Sequence, residues 1–358
     1  MNMKNKKNLV MGVVKKVLPL YLFTFLPLTA VAANPFDNPD TIIVARDGTG
    51  QFRTIGEALE VCRAFMDYHK VIYIKRGTYK EKLIVPEWLT HIELCGEDRD
   101  ATIITYDDHA NIPMDATLWP TEMSRQLLAM DNRPKLSTFR TFTLRVAGSD
   151  ITVRNITIEN NAAKLGQAVA LHTTGDRLQF INCRFLGHQD TVYTCTAGTR
   201  IYFKDCYIEG TTDFIFGAAT AWFDQCHIYC KQDSYITAAS TPRDQPFGYV
   251  FNNCRISAAP GVTKVYLGRP WRDYGYTLFM NCDLCREIRP EGWHHWQPER
   301  EKTARYMEYN NHGEGAATTQ RVVWSRQLSK KEAGQVTLQR VFSLSSTWQP
   351  TAAPSPVP

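Results

Sequence analysis

Two aspartates stand at matching places in a repeated pattern of the chain. Asp190 follows Cys183 by seven residues, and Asp213 follows Cys206 by seven residues. If the two cysteines are equivalent on neighbouring coils, the two carboxylates lie side by side. Like charges that close resist joint ionisation, so one carboxyl keeps its proton near neutral pH while the other is an anion. The pair could therefore supply an acid and a nucleophile from one residue type.

The alternative is that both aspartates are solvated turn residues, as most aspartates beside a glycine are. Their surroundings favour a functional site, because both lie among apolar and aromatic residues, in Gly187-His-Gln-Asp-Thr-Val-Tyr193 and Gly210-Thr-Thr-Asp-Phe-Ile-Phe-Gly217.

Asp233 also follows a cysteine, Cys226, by seven residues. It could be a further carboxylate at the edge of the site, but the longer coil is expected to displace it, so we assign it no catalytic role.

The elements that position these residues come from one repeated tetrapeptide, which places its cysteines 23, 20, 28 and 28 residues apart. Such a period, with short apolar strands and turn residues between them, is typical of a solenoid whose coils contribute equivalent strands. The unit is too short for a strand–helix–strand crossover. The sequence therefore predicts an all-β fold, a right-handed parallel β-helix formed by a single chain. The copies are Phe180-Ile-Asn-Cys183, Phe203-Lys-Asp-Cys206, Phe223-Asp-Gln-Cys226, Phe251-Asn-Asn-Cys254 and Phe279-Met-Asn-Cys282.

The phenylalanine and the cysteine of each copy are three residues apart, so they cannot share one face of a straight strand. Either a bend or a bulge must bring both inward. Equivalent residues on adjacent coils stack at about 4.8 Å, which is within the Cα separation that a disulfide tolerates. Cys206 and Cys226 could therefore be bridged, and an unbridged ladder of buried thiols is an equal alternative.

The ends of the chain differ from the repeat. Residues 1–33 combine five lysines, an apolar stretch from Val17 to Leu28 and the small residues Ala30-Val31-Ala32, which predicts a secretory signal peptide and export to the periplasm or the medium. The apolar stretch is shorter than the ~20 residues of a spanning helix. We predict a catalytic β-helix domain over 34–342, opened by a capping helix within 52–66, with excursions at 107–135 and 231–248. Residues 343–358 form an extension, part of which we expect to be disordered.

The balance of basic and acidic residues indicates which classes of partner the protein can bind. The chain has 41 basic and 36 acidic residues, and removing 1–33 takes away five lysines and no acid, which leaves 36 of each. A near-neutral chain lacks the basic surplus that phosphate binding needs, which argues against a nucleic-acid partner. After removal of the signal peptide we expect no membrane association and a monomer.

Four stretches resemble, in this order, the signature motifs of the pectin methylesterase family. The similarity runs from about Thr41 to Ala316, and Arg305-Tyr-Met-Glu-Tyr-Asn-Asn311 resembles the family's C-terminal block. Ile236-Thr-Ala-Ala-Ser-Thr-Pro242 is similar to the bacterial members. The four motifs are Gln167-Ala-Val-Ala-Leu171, Gln189-Asp-Thr191, Glu209-Gly-Thr-Thr-Asp-Phe-Ile-Phe-Gly217 and Leu267-Gly-Arg-Pro-Trp271.

The resemblance implies a cell-wall-modifying enzyme that needs no metal or other cofactor and hydrolyses the C6 methyl esters of pectin. It implies that Asp213 attacks the ester carbonyl as a nucleophile. Asp190 would protonate the departing methanol and then take a proton from water. Gln167 and Gln189 would donate amide N–H groups to the developing oxyanion. From spacing alone the roles of the two aspartates could be exchanged.

The resemblance also implies that Arg269 pairs with Asp213 and holds it ionised. Two positions depart from the family pattern, His188 where tyrosine is usual and Thr212 where valine is frequent. The sugar rings would lie on an aromatic floor formed by Trp271, Phe216 and Tyr193.

Other readings of the same fold have to be weighed, since parallel β-helices also include pectate lyases and polygalacturonases. A lyase needs a calcium-binding cluster of carboxylates, and none accompanies Asp190 and Asp213 in the sequence. An inverting hydrolase needs carboxyls ~6.5–9.5 Å apart, and adjacent coils favour a closer pair. The remaining alternatives are a module that binds polysaccharide without turnover and an esterase or thioesterase for a substrate other than pectin.

Overall fold

Three parallel β-sheets run side by side along the molecule. The computed structural model describes residues 41–114, 135–343, 346 and 348–350. Every pairing between strands in it is parallel, and successive strands of one coil enter different sheets. The predicted all-β solenoid is therefore confirmed as a parallel β-helix, and the three sheets enclose its apolar core.

The strands of each sheet follow one another from coil to coil. The eleven-stranded sheet contains β1 Thr41–Val44, β2 Lys70–Ile74, β5 Ile92–Gly96, β8 Thr152–Arg154, β11 Leu178–Ile181, β14 Arg200–Lys204, β17 Thr220–Asp224, β20 Tyr249–Asn252, β23 Tyr276–Met280, β25 Arg305–Tyr309 and β26 Arg326–Gln327. The eight-stranded sheet contains β3 Gly77–Lys80, β6 Thr102–Tyr106, β9 Thr157–Asn160, β12 Arg184–Leu186, β15 Tyr207–Gly210, β18 His227–Cys230, β21 Arg255–Ala258 and β24 Asp283–Leu284. The seven-stranded sheet contains β4 Leu83–Val85, β7 Leu144–Val146, β10 Leu171–Thr173, β13 Val192–Thr194, β16 Ile215–Gly217, β19 Tyr235–Ala239 and β22 Tyr266–Gly268.

A bend, rather than a bulge, separates the phenylalanine from the cysteine of each repeat. The residue before the cysteine position has a left-handed backbone, a conformation that asparagine and aspartate adopt more readily than most side chains. It turns the chain from the eleven-stranded into the eight-stranded sheet, so that Phe180 and Cys183 are both fully buried. The bend residues have φ between 50° and 56° and are Asn155, Asn182, Asp205, Gln225, Asn253 and Asn281.

The repeat residues form two ladders inside the β-helix. The phenylalanine rings stack from coil to coil, with centroids 5.0 Å apart for Phe180 and Phe203. From Cys206 onward, the thiol of each repeat donates to the carbonyl of the phenylalanine one coil earlier, as from Cys206 Sγ to Phe180 O at 3.3 Å and from Cys226 Sγ to Phe203 O at 3.6 Å. Both cysteines are free thiols. The suggested Cys206–Cys226 disulfide is therefore absent, and the ladder of buried thiols is what the structure contains.

The N-terminal helix is shorter than expected. This helix, α1, spans Ile55–Glu60, begins at a capping box between Thr54 and Glu57, and buries Ile55 among other apolar residues against β1 and β4. The predicted range reached residue 66, but Phe65 has φ 55° and its amide donates to the carbonyl of Trp88. The chain has therefore left the helical path before the end of the predicted range.

The predicted excursions are right in part. Residues 231–248 include β19, so their first half is a regular coil, and the chain departs only after Ala239. Residues 115–134 lie outside the described part of the chain, as do 1–33, the predicted signal peptide. No helix in the described ranges is long and apolar enough to cross a membrane. Short 3-10 turns occupy Thr138–Arg140, Arg300–Lys302 and Glu314–Ala316.

Two short helices follow the last strand, α2 at Lys330–Ala333 and α3 at Leu338–Phe342. Phe342 is fully buried in an apolar cluster on the outer face of the eleven-stranded sheet. The buried guanidinium of Arg200 pairs with Asp176 and donates from Nη1 to the carbonyls of Phe342 at 3.1 Å and Ser346 at 2.9 Å. These bonds fix the end of the described chain to the β-helix.

Candidate active site

The two aspartates stand in register on neighbouring coils, as the cysteine spacing predicts. Each precedes a strand of the seven-stranded sheet by two residues, and those strands pair Val192 with Ile215. The amide of Asp190 donates to the carbonyl of Thr212 at 3.1 Å, one residue before Asp213. Both have a positive φ, 69° for Asp190 and 49° for Asp213. Strained backbone of this kind concentrates at functional sites.

Arg269, which follows β22, holds Asp213 through two hydrogen bonds. Nε donates to Oδ1 at 2.9 Å and Nη2 to Oδ2 at 2.6 Å. The guanidinium lies between two rings, 3.9 Å from the centroid of Tyr235 and 3.8 Å from that of Trp296. Because planar guanidinium pairs well with both carboxylates and aromatic faces, this arrangement fixes the plane of the Asp213 carboxylate.

The surroundings of the two carboxyls affect their pKa values differently. Asp190 and Asp213 are 8% and 5% exposed, so burial raises the pKa of both. The charge of Asp213 raises the pKa of Asp190 further, and Arg269 only partly opposes this. For Asp213, the hydrogen bonds and the positive charge of Arg269 act against the rise in pKa. These influences favour the proton on Asp190 over Asp213 when the pair shares one proton.

A cleft opens above the aspartates and contains most of the residues that the sequence singled out. Gln167 and Gln189 lie on neighbouring coils, since the amide of Ala168 donates to the carbonyl of Gln189 at 3.1 Å. Both residues line the same cleft as the aspartates. The other lining residues are Thr138, Phe139, Phe216, Ala238, Arg269, Trp271 and Trp296.

The predicted aromatic residues form one cluster beneath and beside the cleft. The rings of Tyr193 and Phe216 are stacked with their centroids 4.4 Å apart. Trp271 approaches both rings edge-on, at 6.4 Å from Tyr193 and 5.9 Å from Phe216. Tyr193 is 7% exposed, so it supports the floor, whereas Trp271 borders the cleft directly.

Two aromatic residues of the cleft were missed by the sequence reasoning. Phe139 is 42% exposed and lies 5.3 Å from the ring of Tyr193, and Trp296 covers Arg269. Both come from segments between strands, where no repeat predicts their position. The run Trp293-His-His-Trp296 was the one available signal, because two tryptophans so close together are unusual outside a core or a binding surface.

Asp233 and His188, which the sequence analysis also discussed, have local interactions near the cleft. Asp233 accepts hydrogen bonds from the amides of Thr263 at 2.7 Å and Lys264 at 2.9 Å, so it orders a neighbouring loop. His188 is partly buried, and burial followed by the charge of Lys231 lowers its pKa. Within the described ranges no group of three or more histidine, cysteine, aspartate or glutamate side chains could hold a metal ion.

The fold and the site define a parallel β-helix protein with a pair of carboxyls in its cleft. A family model described as Pectinesterase matches residues 41–344. The chain belongs to the pectinesterase family and is a carboxylic ester hydrolase. It is 37% identical to Pectinesterase 31 of Arabidopsis thaliana over 81% of this chain and 88% of that protein.

A second curated relative and several solved structures are also similar to this chain. The chain is 36% identical to Probable pectinesterase/pectinesterase inhibitor 21 of Arabidopsis thaliana, covering 83% of this chain but 43% of that protein. Among solved structures, pectin methylesterase from carrot is 33% identical with a TM-score of 0.72, over 82% of this chain and 89% of that one. A pectin methylesterase in complex with a hexasaccharide is 28% identical with a TM-score of 0.72, over 86% and 98% of the two chains.

Proposed function

We propose that this enzyme hydrolyses the C6 methyl esters of pectin, with Asp213 as nucleophile and Asp190 as general acid and base. The observation that carries the assignment is the unequal environment of the pair. Asp213 is ionised and oriented by two hydrogen bonds from Arg269, at 2.9 and 2.6 Å. Asp190 is almost fully buried beside that charge and keeps its proton.

In the first half of the reaction, a carboxylate oxygen of Asp213 attacks the ester carbonyl carbon. The amide N–H groups of Gln167 and Gln189 stabilise the negative charge that develops on the carbonyl oxygen, a contribution usually worth ~3 kcal/mol per donor. The bond to the methoxy oxygen then breaks, and Asp190 transfers its proton to that oxygen. Methanol leaves, and the galacturonate acyl group remains bound to Asp213 as a mixed anhydride.

In the second half, Asp190 is an anion and accepts a proton from an incoming water molecule. The resulting hydroxide attacks the acyl carbon, and the bond to Asp213 breaks. Asp213 returns to its carboxylate form on Arg269, and Asp190 is again protonated. The product is a C6 carboxylic acid that loses its proton to solvent, so each turnover changes one neutral unit of the polymer into an anionic one.

Pectin is the proposed partner, and its rings would lie on Phe216 and Trp271. Neither a cofactor nor a nucleic acid takes part in this mechanism, and the enzyme would act as a monomer.

Residues 1–33 would direct export and be removed, which leaves the catalytic β-helix of 34–342 and the extension 343–358. The motif at 236–242 supports a bacterial type, although curated plant relatives reach 37% identity.

Methanol release from methylated pectin by the purified protein tests the function. Release in proportion to new carboxyl groups, titrated in parallel, is the expected result. A protein that binds pectin and releases no methanol would instead be a binding module. If it released acid from a simple carboxylic ester or thioester but not from pectin, its esterase activity would have another substrate.

A further inference from the structure

Trp296, whose ring covers Arg269, has a strained backbone. Its φ is 63°, in the left-handed region that bulky side chains rarely adopt. The guanidinium of Arg269 lies 3.8 Å from the centroid of its ring. A residue keeps such a conformation only where neighbouring groups hold it there. The groups that hold Trp296 therefore also affect how Arg269 is held against Asp213.

His294 provides a contact that holds Trp296. The backbone amide of Trp296 donates to Nδ1 of the His294 imidazole at 2.9 Å. The amide of His294 in turn donates to the carbonyl of Gly268, the residue before Arg269, at 3.1 Å. His294 therefore connects the backbone beside Arg269 with the aromatic residue that covers its guanidinium.

The imidazole of His294 also borders the ring on the other side of Arg269. That ring belongs to Tyr235, which lies 3.9 Å from the guanidinium and 5.5 Å from the imidazole, edge-on. Tyr266 is stacked on Tyr235 at 5.2 Å and lies 5.4 Å from the imidazole. His294 thus contacts both aromatic residues between which the guanidinium is held, one through its ring and the other through a hydrogen bond.

The protonation state of His294 determines whether it can hold Trp296. A neutral imidazole has one nitrogen that accepts and one that donates, and because Nδ1 accepts here, the proton resides on Nε2. A protonated imidazole donates from both nitrogens, so it cannot accept from the amide of Trp296. Burial lowers the pKa of His294, and the charges of His295, Arg269 and Arg289 lower it further, which extends the neutral form to lower pH.

We propose that His294 is a positioning residue that holds Trp296 over Arg269 while neutral and releases it when protonated. The inference rests on the proposed function, because its effect on turnover passes through Arg269 and Asp213. Protonation removes the hydrogen bond and adds a positive charge beside the guanidinium, which then no longer fixes the plane of the Asp213 carboxylate. Acid thus lowers kcat by a route separate from the protonation of Asp213 itself.

Two substitutions separate the hydrogen bond from the volume of the side chain. His294→Asn keeps an acceptor oxygen near the place of Nδ1, and His294→Leu keeps a similar volume without an acceptor. At about pH 7, His294→Leu should lower kcat on methylated pectin about tenfold with KM little changed, because small displacements of reacting groups are costly. His294→Asn should recover most of that loss. Equal kcat in all three proteins, or equal losses in both variants, would overturn the proposal.

The pH dependence of kcat tests the release of Trp296. Asparagine does not titrate, so kcat of His294→Asn relative to the wild type should rise as pH falls from about 7 to about 4. The loss caused by protonation of Asp213 is common to both proteins and cancels in this ratio. A ratio that stays constant with pH would count against the proposal.

His295→Asn is the matched control. The imidazole of His295 is stacked on that of His294 with centroids 4.8 Å apart, but the amide of Trp296 donates to His294. The control should therefore leave kcat at about pH 7 unchanged. A loss equal to that of His294→Leu would contradict the specific role of His294, because it would indicate a general effect of changes in this segment.

A measurement without substrate separates this inference from the proposed function. In protein labelled with isotopic nitrogen at tryptophan, NMR detects the backbone amide of Trp296, which is assigned by its loss in Trp296→Phe. Its resonance should titrate with pH in the wild type, stay fixed in His294→Asn and be displaced in His294→Leu. The same resonance in all three proteins would contradict the role of His294 even if each released methanol. Absence of methanol release, together with the expected resonances, would contradict only the ester hydrolysis.

Discussion

Arg269 donates to both carboxylate oxygens of Asp213, whereas no lysine or arginine in the described ranges forms a salt bridge with Asp190. The two aspartates occupy equivalent places on adjacent coils, so the backbone alone would make them alike. The arginine makes them different, because it stabilises the anion at one place and not at the other. The mechanism depends on this difference, and the following variants test it.

Replacing Asp213 by alanine should abolish methanol release, because the remaining carboxyl of the cleft, Asp190, forms no salt bridge with an arginine of the described ranges that would hold it as an anion. The unfolding midpoint should change by only a few degrees, since Arg269 keeps its contacts with the rings of Tyr235 and Trp296. Asp233→Ala is the matched control, because Asp233 also follows its cysteine by seven residues and should be dispensable. A folded Asp213→Ala protein with near-normal turnover would exclude Asp213 as nucleophile.

Replacing Arg269 by glutamine should move the acidic limb of the pH–rate profile to higher pH. Burial raises the pKa of Asp213, and Arg269 opposes that rise, so its removal leaves the carboxyl protonated over a wider range. The reactive anion then forms only at higher pH, and kcat/KM near neutral pH should fall about tenfold or more. In the control Arg326→Gln, which loses an exposed pair with Glu332, the limb should not move. An unshifted limb in Arg269→Gln would contradict this assignment.

Replacing Asp190 by asparagine should abolish turnover and change how stability depends on pH. Burial and the charge of Asp213 raise the pKa of Asp190 in the folded protein. The stability from its proton is complete below the unfolded pKa and is lost as pH rises through the folded pKa. Asparagine does not titrate, so the variant does not lose this stability as pH rises. The difference in unfolding temperature, variant minus wild type, should therefore grow as pH rises from about 4 to about 7. Parallel curves for the two proteins would contradict the raised pKa.

Reducing agent should leave the thermal unfolding midpoint unchanged, because Cys206 and Cys226 are free thiols. Burial raises the pKa of both thiols well above the usual value, which keeps them protonated and slow to oxidise. Alkylation in denaturant without reductant, followed by mass spectrometry, should label both cysteines. A midpoint that falls on reduction, together with cysteines that are not labelled, would indicate that the disulfide is present.

The parts of the fold that could be predicted are those governed by the repeat. The spacing of Cys183 and Cys206 placed Asp190 and Asp213 in register because parallel coils carry one register from strand to strand. Whether the phenylalanine and cysteine were joined by a bend or a bulge could not be predicted. That depends on one backbone angle at residues such as Asn182, and asparagine suits either arrangement.

The parts that could not be predicted come from outside the repeat. Trp296 reaches Arg269 from a segment beyond β24, and such a contact depends on the path of a loop, which periodicity does not constrain. Phe139 enters the cleft from a 3-10 turn between β6 and β7 for the same reason. The N-terminal helix was overestimated because its apolar spacing continues past Glu60, whereas Phe65 pairs its amide with Trp88 instead.

The thiol ladder also has a direction. The thiol of Cys206 donates to the coil of Phe180, and that of Cys226 donates to the coil of Phe203, so these contacts run from each coil to the one before it. A chain cut after a complete coil keeps each of these contacts, whereas a chain that lacks an early coil loses one and leaves the thiol with the carbonyl of its own coil, such as Lys204 O for Cys206 at 3.4 Å. In this ladder, the coil formed by the earlier segment presents a carbonyl to the thiol of the next coil.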